Sequence, residues 1–100
     1  MQRITKSKTF VFEAPISDEI VAKLKQWGQV STSAALTVFT LGSGEVRIRV
    51  IRDTPSVKVR RISIKPECGC VLELDEVREF EKGTVYYRYI GYKPCEAHKS

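Results

Sequence analysis

Phe10 and Phe12 alternate with polar or smaller neighbours across residues 9–13, the period-two pattern of a short strand with both rings on one face. Ala14-Pro15-Ile16 ends it. Ser17 then offers a helix N-cap, and Asp18 and Glu19 set negative charge against the positive end of the helix dipole. Ile16, just ahead of the cap, is placed to pack on Val21 as a hydrophobic staple. Ile20, Val21, Leu24 and Trp27 follow helical spacing, and Gly28 stands where a left-handed cap belongs, which predicts one amphipathic helix over 18–27.

Beyond the helix the period changes to two. Residues 30–41 and 45–52 flank Gly42-Ser43-Gly44, the composition of a hairpin loop. That hairpin sets Thr40 opposite Val46, Val38 opposite Ile48 and Leu36 opposite Val50 on an apolar face, with Phe39 opposite Arg47 and Thr37 opposite Arg49 on the other. A second turn at Asp53-Thr54-Pro55-Ser56 leads to Val57 and Val59, which are one residue out of phase with Ile62 and Ile64. A bulge at Arg60-Arg61 restores the phase and sets Val59 opposite Val50, Ile62 opposite Ile48 and Ile64 opposite Val46. Residues 71–80 and 85–93 form the last strand pair, turning at Glu81-Lys82-Gly83-Thr84 with Phe80 facing Val85 and Leu74 facing Gly91. A short helix also fits 71–80, but the strand is preferred because it brings the chain's ligand-type residues together.

Those residues occur in two tight pairs, Cys68-Gly69-Cys70 and Cys95-Glu96-Ala97-His98. The hairpin register sets Cys70 opposite Cys95, so Cys68, Cys70, Cys95 and His98 converge. Three thiolates and an imidazole are the complement of a closed, structural zinc site. An iron–sulfur cluster and unliganded redox thiols are the competing readings, the latter because C-x-C is a less common zinc spacing than C-x-x-C. Pro94-Cys95 also matches half of the zinc-deaminase pattern, but the required His- or Cys-x-Glu half is missing, and four protein ligands leave no position for a reactive water.

At 100 residues, 42% apolar and 29% charged, the chain reads as a single globular domain over 1–100. The expected class is α+β: an antiparallel sheet of about five to six strands, one covering helix and a zinc-clamped C-terminal hairpin. No apolar run suits a membrane span, and no secretory signal is evident, so the expectation is a cytoplasmic protein away from membranes. Asn is absent and charged residues are plentiful, a bias shared with thermophile proteins.

The net charge of +5 is unevenly spread. Residues 41–66 carry seven cations against Glu45 and Asp53, whereas residues 67–82 carry six acids against Arg78 and Lys82. The strand phases collect Phe39, Arg47, Arg49, Lys58, Arg60 and Arg61 on one face, where cations can track phosphates while a ring stacks on a base. The leading expectation is therefore a small zinc-binding protein that binds nucleic acid, single-stranded by preference. The alternative is a protein-interaction or assembly subunit, a homodimer or complex component, docking through its acidic, tyrosine-bearing hairpin. In the bland reading of the same residues the arginines pair with Glu73, Asp75, Glu76 and Glu79, and Phe39 is covered. The only histidine falls to the metal, the glycine loop is too short to cradle phosphate, and the paired carboxylates read first as a solvated face, so no enzyme is expected.

Overall fold

The computed structural model describes residues 9–33 and 36–98. Among them are seven strands in two antiparallel sheets, one helix and a closing 3-10 turn at Glu96–His98. The α+β class holds, with more strands than expected and two sheets in place of one.

Strand β1 (Thr9–Phe12) leads to helix α1 (Asp18–Lys25), then β2 (Gly28–Ser33), β3 (Leu36–Leu41), β4 (Gly44–Asp53), β5 (Val57–Pro66), β6 (Val71–Glu79) and β7 (Thr84–Lys93). The smaller sheet has the order β1-β3-β2 and the larger the order β4-β5-β6-β7. The helix begins as its sequence dictates: the Ser17 hydroxyl accepts from the Ile20 amide at 3.3 Å, and Ile20 and Leu24 are buried. It ends two residues early, however, at a right-handed Gln26. Gly28 is no cap; it opens β2, where a Cβ would stand 1.9 Å from the Thr40 carbonyl oxygen. Glycine is needed there because two backbones approach each other.

The anticipated hairpin across Gly42-Ser43-Gly44 does not form. Residues 30–41 are divided between two strands that pair with each other, Val30 facing Phe39 and Gly28 facing Leu41. The loop's hydrogen bonds go elsewhere: Gly42 donates to the Trp27 carbonyl at 2.9 Å, and the Ser43 carbonyl accepts from Glu67 at 3.0 Å. Gly44 then turns at a φ of 125°, a conformation that favours glycine, and carries the chain into the second sheet. Because β3 takes its register from β1 and β2, its inward face is Thr37, Phe39 and Leu41, while Leu36 is exposed. This is the opposite phase to the one expected. Burying Phe39 and Leu41 together removes more apolar surface than burying Leu36 and Val38 would.

The larger sheet follows its pattern more closely. Val46 faces Ile64 and Ile48 faces Ile62, as the alternation requires. The bulge lies on β4 between Val50 and Arg52 rather than at Arg60-Arg61, so Val59 faces Arg52 and Val50 faces Arg60. The last hairpin has Arg78 opposite Val85, Glu73 opposite Gly91 and Leu74 opposite Tyr89, with an irregularity on β7 at Ile90. One core cluster draws Phe12, Phe39 and Leu41 from the smaller sheet, Ile20 and Leu24 from the helix, and Val46, Ile62, Ile64, Leu72 and Leu74 from the larger sheet. No helix among the described residues is long and apolar enough to cross a membrane.

Candidate functional site

The three cysteines meet where the ends of β5, β6 and β7 converge. After β5 the chain turns tightly, with the Gly69 amide donating to the Pro66 carbonyl at 3.1 Å and Gly69 at a φ of 104°. A side chain at 69 would be strained, and an ideal Cβ there would stand 3.7 Å from the Cys95 Cβ. This turn presents Cys68 at the surface and Cys70 fully buried, and β7 returns Cys95 between them. The three Sγ atoms lie within 4.8 Å of one another. Three thiolates around one zinc, at Zn–S of about 2.3 Å, stand about 3.8 Å apart, so closure onto an ion requires a shift of at most about 1 Å. No disulfide joins the three cysteines, and the Cys95 amide donates to the Cys70 sulfur at 3.2 Å.

Desolvation raises the Cys68 thiol above its ordinary value; the Cys70 backbone works against this, and the side chains of Cys70 and Cys95 add to the rise. A central cation would favour the thiolate form of its sulfur ligands. Tyr92 supports the cluster from β7. Burial, followed by a hydrogen bond with Cys70, raises its phenol, while its ring lies 6.1 Å from that of Trp27 and 4.9 Å from Lys23 Nζ. Three close cysteines can thus hold a metal ion. The side chain of His98, expected as the fourth ligand, lies outside the described residues, as does the amino-terminal stretch 1–8.

The expected basic face is divided. Phe39 is wholly buried in the smaller sheet, far from any role as an exposed ring. Lys58 lies 3.9 Å from Asp53, and Arg60 turns to the core side, where its Nε donates to Glu76 Oε1 at 2.9 Å. Arg47, Arg49 and Arg61 do come together, on the outer face of the larger sheet. They line a cleft of about 660 Å³ with Ser63, Lys65, Val71, Glu73, Gly91 and Lys93. Strand register explains the grouping, since residues paired across a sheet share a face. Arg49 faces Arg61, which faces Asp75, which faces Arg88; one row along, Arg47 faces Ser63, which faces Glu73, which faces Gly91. A further row sets Glu45 beside Lys65 and Val71 beside Lys93.

Within this lattice Arg61 is held by both oxygens of the buried Asp75, whose hydrogen bond is the main cause raising the guanidinium's pKa. Arg47 pairs with Glu45 at 3.0 Å, while Arg49, Lys65 and Lys93 have no ion pair among the described residues. Lys65 and Lys93 went unnoticed as site residues in the sequence; Lys65 alternates in phase with Arg61, whereas Lys93 reaches the face of Arg88 only through the irregularity at Ile90. The exposed aromatic on this face is Tyr86, paired with Val77 beyond the Arg88 row.

Comparison with known proteins found no matching family model, no matching curated protein and no matching solved structure.

Proposed function

We propose that this protein binds single-stranded nucleic acid across the outer face of its larger sheet and is not an enzyme. The observation that carries the reading is the cleft with Arg47, Arg49, Lys65 and Lys93 around its rim. Such an array offers phosphates several cations with one orientation, and Arg guanidinium planes and Tyr86 offer surfaces for bases. The metal is structural zinc, held by Cys68, Cys70 and Cys95 with His98 as the fourth ligand by spacing. It has a direct bearing on the cleft. Val71 follows Cys70 and Lys93 precedes the Pro94-Cys95 pair, so the ion fixes one end of the binding surface. A reducing, cytoplasmic setting keeps these thiols available to the ion.

The acidic-hairpin alternative is disfavoured by the fate of its acids. Asp75 and Glu76 are buried and paired with Arg61 and Arg60, which leaves less negative surface to dock a basic partner.

The test is fluorescence anisotropy with a labelled single-stranded oligonucleotide at 50 and 200 mM salt. Neutralisation of about four phosphates gives a salt slope near −2.8, or a loss of about fifty-fold in affinity over that range. Arg47→Glu combined with Arg49→Glu should abolish binding while thermal unfolding stays near wild type, both residues being exposed. Undiminished binding in the double variant, or affinity independent of salt, refutes the reading.

A further inference from the structure

The cleft has a floor as well as a charged rim. Its central row, Arg47–Ser63–Glu73–Gly91, is made of short side chains at two of four positions, whereas the rows on either side carry Arg49, Arg61 and Arg88, or Lys65 and Lys93. Same-face neighbours along a strand are roughly 7 Å apart, so the long side chains stand as two ridges roughly 14 Å apart with a trough between them. A Cβ built on Gly91 meets nothing within 4 Å, which marks the trough as open at that point. At its base stands Glu73, the one carboxylate among the lining residues.

Glu73 is half-buried and has no ion pair among the described residues, despite the cations around it. Its only hydrogen-bond partner there is Ser63, whose Oγ lies 3.4 Å from Oε2, and Oε1 has none. An ionised carboxylate can only accept hydrogen bonds. The trough therefore offers a nucleotide cations at its rim and an acceptor at its base.

We propose that Glu73 selects the base seated in this trough, favouring bases with an exocyclic amine over uracil and thymine. Cytosine presents its N4 amine to the carboxylate, as adenine does through N6 and guanine through N2. Thymine and uracil present one ring N–H flanked by two carbonyl oxygens, which the carboxylate repels. A well-placed contact of this type discriminates by about tenfold. Ser63, which can donate or accept, holds the carboxylate in place. This selectivity rests on the nucleic-acid reading of the same cleft, and the experiment separates the two.

Ten-nucleotide oligo-dC and oligo-dT, matched in charge and ring size, are compared by anisotropy on wild type, Glu73→Gln and Arg47→Glu/Arg49→Glu, with circular dichroism as a check of folding. Wild type is expected to bind oligo-dC about tenfold more tightly than oligo-dT. In Glu73→Gln the amide both donates and accepts, so the ratio should fall to about one, mainly through a gain in oligo-dT affinity as one negative charge is lost. The charge-reversal variant should lose both ligands. Equal wild-type affinities, or a preference that survives Glu73→Gln, overturn the selectivity and leave the polyanion site standing. Binding of neither oligonucleotide by wild type overturns both.

Discussion

Replacing Tyr87 with Phe removes a single oxygen from the junction between the two sheets. The Tyr87 hydroxyl donates to Glu76 Oε2 at 2.9 Å and accepts from the Glu13 amide at 2.9 Å, just beyond β1. Its ring packs edge-on against Phe12, with centroids 5.0 Å apart, and the variant keeps that contact. Glu76 is only 2% exposed, so water is poorly placed to replace the lost donor, whereas Glu13 is exposed and its amide can be rehydrated. A hydrogen bond to a charged, buried group contributes about 1.5–3 kcal/mol. The expected loss is therefore about 2–3 kcal/mol, or about 10–20 °C in Tm for a chain of this size. Urea and thermal unfolding followed by circular dichroism read it directly. A second signature appears at alkaline pH. Burial is the main cause raising the Tyr87 phenol, with Glu76 adding to it and the Glu13 amide opposing it. Its contribution is complete below the unfolded tyrosine value of about 10 and declines as pH rises toward the higher folded value. Wild type should lose stability above pH of about 10 more steeply than Tyr87→Phe. A cost under about 0.5 kcal/mol, with unchanged alkaline behaviour, would refute the role assigned to this hydroxyl.

Phe39→Ala should cost about 3–5 kcal/mol in urea unfolding, since the ring is fully buried, and leave oligonucleotide affinity of the folded protein unchanged. Gly28→Ala drives a methyl against the Thr40 carbonyl and should destabilise by about 1–3 kcal/mol, read as a lowered urea midpoint. Purified protein should carry one zinc per chain by elemental analysis; chelation should lower Tm, and Cys70→Ser should lose the stoichiometric metal.

The Cys-x-Cys and the final hairpin were legible because both depend on local chain geometry and on one turn. The expected register was nearly right, and Cys70 and Cys95 meet even though the observed pairing runs one to two residues off, since a side chain's reach tolerates that slip. The basic face was half legible. Arg47, Arg49 and Arg61 share a phase within β4 and β5, and those two strands do pair. Phe39 was assigned to them only through a hairpin that does not exist.

Local pattern by itself determined the capped helix, the strand character of 71–80, the Ile48–Ile62 and Val46–Ile64 pairings and the clustering of the cysteines. Each is set by near neighbours or a short turn. Tertiary structure alone decided that the chain crosses to a second sheet after Leu41, which face of β3 is buried, and which cations remain unpaired around the cleft. Alternation with a period of two reads identically from either face, so the choice falls to whichever partner strands and aromatic rings offer the larger burial. Here those partners are β1 and β2, more than the hairpin loop can outweigh.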